Sequence, residues 1–291
     1  MPGLFLFLWF FAPVRGALPK LQIESPPELA VIRDRLQAIS SSRFADISEF
    51  LGAESGSPIR VVLAPENSEV ARSVASWISG FAVGESSLVV IFPARSPGYP
   101  DDTIEDVLRH EVAHVLIWRA ADGHPLPRWF NEGLAMNVER GRRFQDQTEL
   151  LYQLVKGGET DLHRLDGLFT GSQTDQVRAY ALAGAFVHDV LQMYGATSPK
   201  AILARIHQGA PFEEAFLDVT GVSAATAESQ FWHRQRIWTS WIPVLTSSTI
   251  VWLGITLLAL LAIYMRRVRN REIEKRWEQE DESDSEDHFR H

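Results

Sequence analysis

Residues 103–121 read TIEDVLRHEVAHVLIWRAA, and the interpretation of the whole chain turns on this stretch. Thr103 and Asp106 form a capping-box pattern, which satisfies free amides at a helix start. Apolar residues at 104, 107, 108, 112, 115 and 116 follow at helical spacing, so a long helix is expected. Inside it sits His110-Glu111-Val112-Ala113-His114. Side chains at i and i+4 share one helix face, so both imidazoles can reach one ion while Glu111 projects beside them. The apolar surroundings turn this strip inward or toward a cleft, where polar groups without partners are costly. The five-residue pattern arises by chance in roughly one chain in a hundred of this length, so a second observation is needed.

That observation is Pro127-Arg128-Trp129-Phe130-Asn131-Glu132-Gly133-Leu134-Ala135. It opens a second expected helix, from about Arg128 to Arg140, with a carboxylate near its start. Catalytic zinc takes three protein ligands and keeps one position open, and Glu132 supplies the third. The chain has no cysteine, so thiolate sites and disulfides are excluded and any metal must be held by histidines and carboxylates. Asp122 and His124 are nearer in sequence but lie in the loop ADGHPLP.

Upstream, residues 27–40 place Leu29, Ile32, Leu36 and Ile39 at helical spacing, and PIRVVLAP (58–65) is a proline-bounded β-branched run. A helix is expected over 67–80 and a short strand at SSLVVIFP (86–93), followed by a turn-rich stretch over 93–102. Downstream, residues 142–237 carry helical patterns and no convincing strand. The expected fold is therefore α+β: a small sheet with the HExxH helix, then a helical lobe. The expected division is 18–140 for the first lobe and 141–237 for the second. No internal repeat is present.

Both ends carry uncharged apolar runs. Residues 4–14 (LFLFLWFFAPV) read as the core of a secretory signal spanning 1–17, although no Lys or Arg precedes them. Residues 241–265 contain no charge over 25 positions, enough for one transmembrane helix. Arg266, Arg267, Arg269 and Arg271 follow at once, so the positive-inside bias puts the tail, 266–291, in the cytoplasm and the folded part outside it. An uncleaved N-terminal segment gives the same topology. Residues 272–291 hold nine acids and three bases, which accounts for most of the chain's formal −9 and reads as a solvated tail. No basic stripe interleaved with aromatics occurs in the folded part, so a nucleic-acid partner is not expected. Trp232, Trp238, Trp241 and Trp252 cluster around the start of the span, as interface anchors do.

His110, Glu111, His114, Asn131, Glu132 and Gly133 together resemble the gluzincin metallopeptidases, the thermolysin-like and aminopeptidase-like group, and within it the peptidase MA-like domains of bacterial envelope proteins. Glu132 falls 18 positions after His114, within the spacing of that family. The metzincin pattern fits worse, because Ile117 and Ala120 occupy its Gly and His positions. The resemblance covers roughly 58–237. It implies a zincin-like fold, with Zn2+ held by His110, His114 and Glu132 and with Glu111 as general base toward a water whose pKa the zinc lowers. It also implies an oxyanion donor from the helical lobe, for which Tyr180 is the candidate, the alternative being a half-buried packing residue. A helix is expected to open at Ala179-Tyr180-Ala181 and run through Val187.

In that family a strand before the active helix is an exposed edge that pairs with the extended substrate. SSLVVIFP is the local candidate, with a buried core strand as the equal alternative. The thermolysin-like Asp four residues after the third ligand is replaced here by Met136, which leaves Asp106 as a candidate to orient the histidines. His188 and His207 read as surface or packing residues.

The resulting expectation is a membrane-anchored zinc metallopeptidase acting on peptides or proteins of the cell envelope. Its rival is a catalytically idle zincin fold used as a binding or assembly module. Hydrolysis of a cell-wall amide is a third reading.

Overall fold

The computed structural model describes residues 19–39, 41–54, 56–95, 101–139, 150, 152–153, 158–245, 252, 255–267 and 269. Residues up to His233 form one compact unit and those from Arg234 a second.

The first unit is α+β. Its sheet has four strands, β1 (Leu21–Glu24), β2 (Ile59–Leu63), β3 (Gly80–Val83) and β4 (Leu88–Ile91), in the order β1-β2-β4-β3. β1, β2 and β4 run parallel, with Ile23 opposite Val61 and Val61 opposite Val89, while β3 is antiparallel to β4. Alternation explains β2: Ile59, Val61 and Leu63 are fully buried on one face, whereas Arg60 points out. Helices α1 (Ala30–Gln37) and α2 (Ala45–Leu51) lie between β1 and β2 in sequence, which gives the parallel pair its crossover.

The long helix, α4 (Ile104–Ala120), packs against β3 and β4, and its Leu108, Val112, Val115 and Leu116 join the strand residues in the main core. The capping box forms as expected: Thr103 Oγ1 accepts from the amide of Asp106 at 3.2 Å, and Asp106 Oδ2 accepts from that of Thr103 at 3.0 Å. Helix α5 (Arg128–Glu139) follows, then α6 (Leu162–Leu168), α7 (Gln173–Tyr194), α8 (Ser198–His207), α9 (Phe212–Thr220) and α10 (Ala224–Leu245). α5 and α7 are in close contact at Gly133, where a Cβ would stand 2.5 Å from Val187 Cγ2 and 2.6 Å from the Ala183 carbonyl. Trp129, Phe130, Phe186, Phe212 and Phe216 form an aromatic cluster between α5, α7 and α9.

Three local expectations are decided by the packing. The helix expected over 67–80 is only α3 (Glu69–Ser73), capped by Ser68, and the chain then turns and enters β3. Buried Arg95 holds that turn, donating to the carbonyls of Ala71, Ala75 and Ile78 at 2.7–2.8 Å while its Nε and Nη2 reach Glu66. Ala71 lies in α3 and Ala75 and Ile78 in the turn after it, so one planar guanidinium gathers carbonyls from the helix and from the turn that leaves it. Of the two readings of SSLVVIFP, the buried strand is the one found: β4 lies between β2 and β3 with Val89 and Ile91 buried, and the edge beside α4 is β3. Tyr180 lies inside α7, which begins at Gln173, six residues earlier than expected, behind a Ser172–Asp175 capping box.

In the second unit, residues 255–267 are helical with exposed apolar side chains such as Leu257, Leu258 and Leu261. The span expected over 241–265 falls partly outside the described residues, and among those described no helix is long and apolar enough to cross a membrane. The signal expected over 1–17 lies outside them, as does nearly all of the 266–291 tail.

Candidate metal centre

α4 and α5 bring His110, His114 and Glu132 together, with ligand atoms all within 4.8 Å of one another. Glu132 Oε2 stands 3.5 Å from His110 Nε2 and 3.4 Å from His114 Nε2. A charge-assisted hydrogen bond would close to about 2.7–2.9 Å. Donors on a tetrahedral ion at zinc's bond lengths of about 2.0–2.2 Å stand roughly 3.4 Å apart, which matches the two distances from Glu132 to the histidines. Among the described residues, His110 Nδ1 and Glu132 Oε2 are buried without a hydrogen-bond partner, and orphaned polar atoms of this kind are rare unless a ligand completes them. These three residues can hold a metal ion, and the donor set of two imidazoles and a carboxylate fits zinc chemistry.

The positions follow from local sequence. His110 and His114 are one turn apart on α4, their rings 4.8 Å apart edge to face. Asn131 Oδ1 accepts from the Nδ1–H of His114 at 2.9 Å, which directs Nε2 toward Glu132, one residue further along α5. Asp101 Oδ1 stands 3.9 Å from His110 Nδ1. The carboxylate facing His110 is thus Asp101, whereas Asp106, the sequence candidate, serves the helix cap. Asn131 was legible as a motif residue but not in this role, and nothing periodic in the turn-rich 93–102 stretch marked Asp101.

Electrostatics bind the group together. Burial disfavours charge on His110, yet Asp101, Glu132 and Glu111 outweigh it and raise its pKa to about 10 in the metal-free chain. His114 is shifted up too: burial opposes the charge and Glu132 overcomes it. Burial would raise Glu132, but the two histidines hold it well below the ordinary carboxylate range. Burial pushes Glu111 up to about 7, against the pull of His114 and His110, so it is poised to exchange a proton near neutrality.

The centre opens onto a cleft of about 710 Å3, within the range of ligand sites. One wall is β3 and α4, and the other carries Arg128, Phe169, Gln176 and Tyr180. Tyr180 lies with its ring centroid 6.3 Å from that of His110 and packs edge-on against Phe169. Burial and the nearby Glu132 and Glu111 raise its pKa well above the ordinary value, so it stays a phenol that can donate. Arg128 lies over the Phe169 ring at 4.8 Å, with Nε 3.7 Å from Glu132 Oε1. His124 lines the cleft but is not in the cluster, and Asp122 sits in a turn with φ +50°. His188 pairs with Asn137 between α5 and α7, and His207 is exposed at the end of α8. No protein-family model matches the chain, and no curated protein matches it.

Proposed function

We propose that this chain is a zinc metallopeptidase of the gluzincin type, anchored by a single span over 241–265 with its catalytic unit outside the cytoplasm. The observation that carries the reading is the orphaned Glu132 Oε2, 3.4–3.5 Å from both His Nε2 atoms in a cleft that Glu111 also lines. His110, His114 and Glu132 would hold the ion, which when bound supplies Lewis-acid polarisation and makes water easier to deprotonate.

The chain's own groups supply the rest. Glu111 takes on its carboxylate a proton from the water that attacks the peptide carbonyl and passes it to the amine nitrogen as the C–N bond breaks. Tyr180 donates from its hydroxyl toward the oxyanion, a role that needs the phenol neutral. β3 offers an unpaired strand edge along the cleft, so backbone pairing can hold an extended peptide with little regard to its sequence. Substrates are peptides or proteins of the cell envelope within reach of the anchor.

The test is metal content and peptide cleavage by the purified full-length chain beside Glu111→Gln and His114→Ala. About one zinc per chain in the wild type and in Glu111→Gln, with cleavage of a peptide mixture by the wild type alone, is the expected result. Zinc retained with no cleavage by any form would favour the idle binding module, and cleavage of purified wall fragments alone would favour the cell-wall amide. No bound metal in the wild type would refute the peptidase.

A further inference from the structure

Trp118 stands one helical turn beyond His114 on α4 and lines the same cleft, yet 40 % of it is exposed. Its indole is built in from both edges. A Cβ on Gly84 would collide with Trp118 Cβ and Cγ, and one on Gly123 would stand 3.0 Å from Cζ2. Both glycines lie in turns that close against the ring: Gly84–Ser87 joins β3 to β4, and Gly123 donates its amide to the Trp118 carbonyl at 2.9 Å. Among the described residues, Ser87 (φ +49°) and Asp122 (φ +50°) are the only non-glycine residues with positive φ, and each sits in one of these two turns. Left-handed backbone carries a cost at Ser87, whereas Asp122 tolerates it as a short polar turn residue. Arg119 ties the first turn down, donating to Ser87 Oγ at 2.9 Å and to the Ser57 carbonyl at 2.6 Å. Val83, Pro125 and Leu126 line the same cleft as Trp118.

We infer that Trp118 is the floor of a specificity subsite that takes an aromatic side chain of the peptide substrate. The inference deepens the peptidase reading and rests on it. Four helical residues advance about 6 Å along the axis, while an extended peptide advances about 3.3 Å per residue. The aromatic residue therefore lies within two positions of the scissile bond. Offset or edge-to-face stacking on a fixed indole favours a ring over a methyl group, by about tenfold in affinity.

The test uses metal-chelating hydroxamates, which fix the register of a peptide without cleavage. One series carries its side chain on the N-terminal side of the chelator (peptidyl hydroxamates) and the other on the C-terminal side (succinyl hydroxamates), each as a Phe and an Ala member. Calorimetric titration of the zinc-loaded full-length chain is expected to show the Phe member binding about tenfold tighter in one series, with that ratio falling to within twofold in Trp118→Ala. Trp118→Leu, which keeps an apolar side chain, is expected to give an intermediate ratio and serves should the alanine variant fail to fold. Equal binding of Phe and Ala members in both wild-type series, or a ratio unchanged by either substitution, overturns the subsite while leaving the peptidase reading intact. Binding of no hydroxamate at all would remove the metal centre and the subsite together.

Discussion

Gly80, the first residue of the edge strand, lies against the side chain of Glu111: a Cβ at 80 would stand 3.2 Å from Glu111 Cγ, 2.9 Å from Val107 Cγ1 and 3.1 Å from the Val90 carbonyl. The absence of a side chain there lets the proposed base and the proposed substrate-pairing edge share one place. Gly80→Ala is expected to displace Glu111 and lower kcat by about 10- to 100-fold, since small misplacements of a reacting group carry costs of that order. Metal content should not change, because none of the three ligands is touched. Normal kcat in this variant would separate Glu111 from the chemistry.

Asn131→Ala removes the acceptor that orients His114 through Nδ1. Loss of such an outer hydrogen bond is expected to weaken zinc binding by about 10- to 100-fold without unfolding the chain. Competition with a chromophoric chelator measures it, and unchanged affinity would mean that packing alone holds the ring.

Gly133 is where α5 meets α7, and its missing Cβ leaves room for Val187 and the Ala183 carbonyl. The Ala183 contact is backbone, so the helices themselves must separate. Gly133→Ala is expected to destabilise by about 2–3 kcal/mol, read as a lowered melting temperature, and to reduce zinc affinity because Glu132 moves with α5.

Metal binding should be strongly pH-dependent. Both histidines are shifted upward in the metal-free chain, so at pH 6 both carry protons that an ion must displace. Calorimetry at pH 6 in two buffers of different ionisation enthalpy is expected to show about two protons released per zinc. Release of none would place the ion elsewhere.

The same shifts govern the stability of the metal-free chain. His110 titrates near 10 when folded against an ordinary 6.5, so its contribution is complete below 6.5 and is lost as pH rises toward 10. Glu111, raised from 4.5 to about 7, likewise loses its contribution between those values as pH rises. Glu132 is shifted down, so its contribution is present above 4.5 and disappears only in acid. Chelator-treated protein is therefore expected to melt at progressively lower temperature from pH 5 to pH 10, and zinc-loaded protein, whose imidazoles are already neutral, to show a smaller fall. Parallel curves would contradict the assigned shifts.

What could be read from the chain alone is what helices encode locally. His110, Glu111 and His114 share a face because of the 3.6-residue period, Thr103 and Asp106 cap the helix because they are three apart, and Glu132 enters on a helix announced by Pro127. Those relationships span at most a turn or two, and the 18-residue step from His114 to Glu132 was legible only through the family resemblance. The edge strand was not legible: Gly80-Phe81-Ala82-Val83 is four residues long, starts with glycine and shows no alternation, and it becomes a strand only because β4 offers a free ladder and Arg95 holds the turn before it. β1 likewise exists through pairing with residues nearly forty positions away. Asp101 faces His110, and Trp118 is pinned between Gly84 and Gly123, through contacts that no period records. Helical geometry set His110, Glu111 and His114 on one face, whereas packing of α5 on α4 brought Glu132 to them and long-range pairing decided the cleft around them.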